Sequence, residues 1–160
     1  MPSTNRPIPT NPSSGNVRAF LLMLQHAEGT YGTDAYRRLY GGSLLFSDFT
    51  KHPNTAIRKW GITSTAAGAY QFLFKTWNTL QKQLMLPDFS PQSQDKAALE
   101  LIRMKGALPD IVAGRISAAI TKCRKIWASL PGAGYGQGER SLSALLQVYQ
   151  QHGGQLVMGN

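Results

Sequence analysis

"LLMLQHAEGTYG", residues 21–32, carries an apolar helical stripe onto a carboxylate and then ends it. Val17, Phe20, Leu21 and Leu24 recur three and four apart, the spacing of one helix face, and predict a helix over 17–28. The next position on that face is Glu28. Gly29, a residue type favoured just past a helix end, follows it. A carboxylate placed there is desolvated by apolar neighbours and opposed by the negative end of the helix dipole, and both effects raise its pKa. A general acid working near neutral pH needs that elevation. The alternative is a glutamate at the edge of the face that points into water.

The elements around this helix follow from punctuation and period. Residues 1–16 contain four prolines and almost no apolar content, and read as a flexible tail ahead of one domain over 17–160. "GGSLLFSDFTKHP" (41–53) predicts a small β-hairpin region. A helix is expected from Ala66 or Ala67, with Tyr70, Leu73, Phe74, Trp77 and Leu80 or Leu84 as its core stripe. Ser90 as N-cap, Pro91 in the first helical position and Gly106 as a stop bracket the next helix. A short helical turn over 108–113 precedes a helix over 114–128 with Ile116, Ala119, Ile120, Cys123 and Trp127 inward. A glycine-dense loop then leads to a last helix over 141–151. The expected fold class is α+β and mainly helical, with a small β region after the first helix.

Composition narrows the chemistry. The chain has 160 residues, 42% of them hydrophobic, which suits one domain with a substantial core. Its formal charge of +9 draws it to anionic partners: nucleic acid, acidic lipid headgroups or an anionic cell wall. One cysteine, Cys123, excludes an internal disulfide framework and a multi-cysteine metal site. His26, His52 and His152 are far apart in sequence and show no metal-ligand spacing, so neither metal nor cofactor is expected. No stretch approaches the length of a membrane span, and the N-terminus lacks the apolar core of a secretory signal. "HAE" at 26–28 begins a zinc deaminase signature whose cysteine pair is absent, and "GAGYGQG" fits neither the dinucleotide nor the P-loop pattern.

Of the eight carboxylates, only Glu28 has a local environment that argues for a raised pKa. Asp34 and Asp48, in the extended region, are the two others within reach of a cleft. The residues thus offer one good acid without an obvious partner carboxylate, whereas hydrolytic glycosidases usually use two.

"AEGT" (27–30), "STAAGAYQFL" (64–73), "DFSPQSQDKAAL" (88–99) and "IWASLPGAGYGQ" (126–137) closely resemble the bacteriophage lambda endolysin family, in the family's order and at near-family spacing. The similarity runs from about Val17 to the last helix. It implies a lysozyme-like fold with a cleft between the helical and β parts, and a lytic transglycosylase of peptidoglycan with Glu28 as the catalytic acid. Such an enzyme cleaves between N-acetylmuramic acid and N-acetylglucosamine without water and leaves a 1,6-anhydro sugar. The resemblance places Ser64, Thr65, Tyr70 and Gln71 along the cleft, although the stripe alone puts Tyr70 in the core. "SLPGAGYGQ" becomes a lip over the saccharide, with Tyr135 and Gln137 as sugar contacts. Trp60 is either a sugar platform on the opposing lip or a core residue. The segment between "EGT" and "YGG" is shorter than in the lambda version, Ala66 and Ala69 replace a glycine and a basic residue, and the lip around 51–61 diverges.

The resulting expectation is a monomeric phage endolysin. It is made in the host cytoplasm, released by a separate holin-type membrane protein, and acts on the wall without inserting into the membrane. Two alternatives stand beside it: a hydrolytic muramidase with Asp34 or Asp48 positioning water, and a basic nucleic-acid-binding module built on clusters such as "KCRKIW".

Overall fold

In the computed structural model, residues 15–132 and 140–157 are described. Helix α1 (Gly15–Glu28) buries Val17, Ala19, Phe20, Leu21, Met23, Leu24, Gln25 and Ala27. That is wider than the single stripe expected, because α1 packs against both α4 (Leu108–Ala113) and α6 (Leu142–Gln151). It also starts two residues before the expected boundary at 17. Asn16 explains this: its Nδ2 donates to the Ile111 carbonyl at 3.1 Å, and its Oδ1 accepts from the Gln155 amide at 3.1 Å. The rest of the expected tail, residues 1–14, lies outside the described residues.

Residues after α1 fold as a 3₁₀ turn (Ala35–Arg37), isolated bridges and one antiparallel hairpin, β1 (Ile57–Lys59) and β2 (Ile62–Ser64). The hairpin falls later than the 41–53 stretch that predicts it. Gly41 and Gly42 do make a turn, at φ +87° and +83°, but it closes only the isolated bridge Arg38↔Leu45. The hairpin turn is Trp60–Gly61, both at positive φ, the requirement of a type I′ connection.

The helix expected from Ala66 or Ala67 starts at Phe74 instead: α2 spans Phe74–Leu84. Residues 66–73 form a tight loop in which Ala67 and Phe72 exchange backbone hydrogen bonds of 3.1 and 2.9 Å. Gly68 (φ +85°) and Gln71 (φ +52°) sit in the left-handed region, which no α-helix contains. The stripe shifts accordingly. Phe72, Trp77 and Leu80 are buried, while Leu73 is half exposed. The Trp77 indole N–H has no conventional acceptor, and the ring instead meets Phe89 edge to face at 4.6 Å and 86°.

Helix α3 (Pro91–Met104) begins as its sequence predicts, with Ser90 Oγ accepting from the Ser93 amide and Pro91 in the first turn; Gly106 follows its end at φ +73°. Helix α4 has the expected bounds. Helix α5 (Ile116–Cys123) is shorter than 114–128, yet Ile116, Ala119, Ile120, Cys123 and Trp127 are all buried as expected. Ser141 caps α6 by accepting from the Ala144 amide. The buried apolar residues form one core cluster around α1.

The 66–73 loop is held by Gln94. Its Oε1 accepts from the Ala69 amide at 2.9 Å, and its Nε2 donates to the carbonyls of Phe89 and Tyr36 at 2.9 and 3.1 Å. A β-carbon on Gly68 would stand 2.3 Å from Gln94 Oε1 and 3.0 Å from Phe89. Gly68→Ala is therefore expected to destabilise the protein by about 2 kcal/mol or more, from backbone strain and the displaced amide together. Urea denaturation measures it, and an unchanged midpoint would contradict this account of the loop.

Candidate active site

Glu28 stands at the closing turn of α1. The Gly29 amide donates to the His26 carbonyl at 3.1 Å and the Thr30 amide to the Gln25 carbonyl at 2.9 Å, with Gly29 at φ +74°. This is the Schellman arrangement, and it ends the helix at the carboxylate. Thr30 Oγ1 then donates to the Ala69 carbonyl at 2.7 Å, joining the helix end to the 66–73 loop.

Glu28 opens into a cleft of about 720 Å³. One side is built from Tyr40, Gly41, Gly42, Trp60 and Ile62, the floor includes Ala66 and Gln71, and the far side is Ile126, Ala128, Ser129 and Arg140. Ser129 Oγ donates a hydrogen bond to Glu28 Oε2. Arg140 donates from Nε to the Ala27 carbonyl at 3.2 Å, and its backbone amide donates to the Ser129 carbonyl at 2.8 Å. Its Nη2 lies 3.8 Å from where a β-carbon on Gly29 would be.

These contacts decide the state of the acid. Burial raises the Glu28 pKa from 4.5 to about 7, while the Ser129 hydrogen bond and the Arg140 charge pull it back down. Near neutral pH the group populates both its acid and its base form. Of the two readings of Glu28, the structure has a half-buried carboxyl held by Ser129 rather than one pointing freely into water. Ser129 opens the stretch expected as a lip, but neither it nor Arg140 was legible as a partner of Glu28, because both lie about a hundred residues further along the chain.

The other expected site residues divide. Trp60 is not core: its ring is 71% exposed at the cleft, edge-on to Tyr40 at 5.8 Å, with Lys59 Nζ 4.9 Å from the ring centroid. Gln71 also lines the cleft, its Nε2 donating to the Gly68 carbonyl at 2.9 Å. Tyr70 must be corrected. It is 1% exposed, and its hydroxyl donates to Asp95 Oδ1 at 2.6 Å, so it anchors the loop from within the core. Ser64 and Thr65 are also displaced from the cleft wall. Their hydroxyl oxygens accept from the amides of Ala66 and Phe74, at 3.0 and 3.1 Å, and so shape the turn into α2. Tyr135 and Gln137 lie outside the described residues.

No second carboxylate lines the cleft among the described residues. Asp34 is paired with Arg37 at 3.2 Å, and Asp48 accepts from the Thr50 amide at 2.9 Å, which holds its pKa low. Neither faces Glu28 across the cleft, so the water-positioning role expected of them in a hydrolase is not supported.

Comparison with known proteins follows the same lines. The sequence profile of the family described as Endolysin matches residues 18–156. The endolysin of Escherichia phage P2 is 47% identical, over 87% of this chain and 93% of that protein. The endolysin of Escherichia phage lambda is 45% identical, over 86% and 90%. Among solved structures, bacteriophage lambda lysozyme complexed with a chitohexasaccharide superimposes with a TM-score of 0.86 at 42% identity, covering 90% of this chain and 97% of that one. A second structure, lysozyme from bacteriophage lambda, gives 0.82 at 41% identity with the same coverage.

Two outcomes are expected of the Glu28 carboxyl. Removing either partner, in Ser129→Ala or Arg140→Gln, raises its pKa further, because both lower it in the parent. A carbon NMR titration of the side-chain carboxyl reads this directly, and a downward shift would refute the assignment. The second concerns stability. The folded pKa lies above the unfolded 4.5, so the contribution of the neutral carboxyl is complete below pH 4.5 and is lost as pH rises through about 7. Glu28→Gln should therefore be more stable than the parent at pH 8, by on the order of 2 kcal/mol, with the gap closing below pH 4.5.

Proposed function

This chain belongs to the endolysin family, and from that membership we propose that it is a peptidoglycan lytic transglycosylase in which Glu28 serves in turn as acid and base. An endolysin degrades the host cell wall to bring about lysis, and this one is a glycosidic-bond-cleaving enzyme of lambda-lysozyme fold. The finer reaction and the residue roles are our reading. The observation that carries it is a single carboxyl of pKa about 7 in a cleft where no other described residue is a carboxylate.

A glycan strand lies in the cleft, as the chitohexasaccharide binding of the lambda enzyme suggests for this chain. Protonated Glu28 donates to the glycosidic oxygen between N-acetylmuramic acid and N-acetylglucosamine. The C1–O bond breaks, the N-acetylglucosamine side leaves as an alcohol, and positive charge develops at C1. Glu28, now a carboxylate, takes the proton of the muramic acid C6 hydroxyl as O6 attacks C1. A 1,6-anhydro ring forms, no water is consumed, and Glu28 is again protonated. One group performing both half-reactions works best when its pKa is near the working pH. Burial supplies that value here, and the Ser129 hydrogen bond and the Arg140 charge hold it from rising further. Hydrolases usually use a second carboxyl, either to activate water or as a nucleophile.

Trp60 is proposed as a stacking platform for a sugar ring, since an exposed indole at a cleft edge offers a large apolar face. Gln71, Tyr135 and Gln137 are proposed as polar contacts. The strongly basic surface favours an anionic wall. A nucleic-acid module fits less well. Lys122 of the "KCRKIW" cluster, for one, is tied to buried Asp110 at 2.6 Å. No helix among the described residues is long and apolar enough to cross a membrane. Cytoplasmic synthesis and release through a holin-type protein remain part of the proposal.

Digestion of purified peptidoglycan separates the readings. Mass spectrometry should find anhydro-muropeptides from the parent, and about 10²-fold less or lower yield from Glu28→Gln. Fragments heavier by one water would replace transglycosylation with hydrolysis. Full activity in Glu28→Gln would remove Glu28 from the mechanism.

A further inference from the structure

Two of the three histidines meet in the fold. His26, in the last turn of α1, and His152, just past α6, bring their Nε2 atoms to 3.1 Å. Their ring centroids are 5.3 Å apart with the planes tilted by 48°. Tyr31 stacks on His26 at 3.9 Å and 22°, and lies 5.2 Å from His152. Both imidazoles are half-buried and so reachable from solvent. His52, by contrast, has both ring nitrogens engaged, Nε2 with the Phe72 carbonyl at 2.8 Å and Nδ1 with the Asn54 amide at 2.9 Å.

Facing ring nitrogens at this distance share one proton: one donates and the other accepts. Neutral imidazole is the form that ligates metal. The spacing also matches a coordination sphere. With metal–nitrogen bonds of about 2.0–2.1 Å, two adjacent ligand nitrogens stand about 2.9–3.4 Å apart, from right-angled to tetrahedral geometry. The stack on Tyr31 restrains His26, so less side-chain freedom is lost on binding.

We propose that His26 and His152 form a two-imidazole chelate for a borderline divalent transition-metal cation (Zn²⁺, Ni²⁺ or Cu²⁺), with water in the remaining positions. Imidazole suits these ions. Among the described residues no third His, Cys, Asp or Glu completes the set, which makes the site open and its affinity modest. The donating ring carries its proton on Nδ1 instead, and the bound ion replaces the shared proton as the link between the ends of α1 and α6. It would therefore clip α6 to α1 two residues from Glu28.

Thermal unfolding of the untagged full-length chain, in Ni²⁺ and in EDTA, is the test. The parent should unfold several degrees higher in Ni²⁺, because the ion binds only where the fold brings the rings together. Calorimetry should give a stoichiometry near one. His152→Gln keeps a polar side chain but removes one arm of the chelate. It should lose the Ni²⁺-dependent shift and bind about 100-fold more weakly. His26→Gln must behave alike, which keeps the test decisive should one variant fold poorly. No shift in the parent at millimolar Ni²⁺, or the same shift in parent and variants, would overturn the proposal.

Discussion

A carboxyl group at the C-terminal end of a buried helix works against both the helix dipole and the loss of water. The arrangement around Glu28 is what makes that position tenable. Gly29 turns the chain at positive φ, and the amides of Gly29 and Thr30 donate to the carbonyls of His26 and Gln25, which closes the helix at Glu28. Thr30 then fastens the turn to Ala69. Ser129 and Arg140 reach in from the distant part of the chain and moderate the elevation. The acid thus inherits its pKa from three separate parts of the chain, none of which sets it alone.

Behind the cleft lies a second carboxylate with the opposite task. Asp95 accepts from Tyr70 at 2.6 Å and Tyr36 at 2.9 Å, while Gln25 of α1 donates to the Tyr70 hydroxyl at 3.2 Å. Polar groups from α1, α3 and two loops are thereby satisfied against one another in a largely dry setting. Such a network specifies one relative placement of its members, since any displacement leaves a polar atom without a partner. Trp127 adds to it by donating to the Tyr70 carbonyl at 3.0 Å. Tyr70 therefore belongs to the framework that holds the cleft loop, and the cleft side of that loop is left to Gln71 and Ala66.

Where local pattern and local physics agree, the sequence was readable. Ser90–Pro91 opens a helix because a hydroxyl acceptor and a missing amide donor both suit its first turn, and no tertiary contact opposes them. Glu28 stood out because it interrupts an apolar period. The "STAAGAYQ" stretch misled because its composition favours helix, while Gln94, far along the chain, rewards a turn at Gly68 and Ala69. Ser129 was marked only as the start of a lip, and Arg140 and the meeting of His26 with His152 left no local trace at all. Each is created only by the packing of α6 and the preceding segment onto α1.

The two ends of the chain contribute unequal things to the cleft. The N-terminal helix brings the proton-carrying group, and the last stretch brings the groups that bury and moderate it. During synthesis the first emerges from the ribosome long before the second. The carboxyl near the start of the fold and the groups near its end that set its titration are therefore assembled only together.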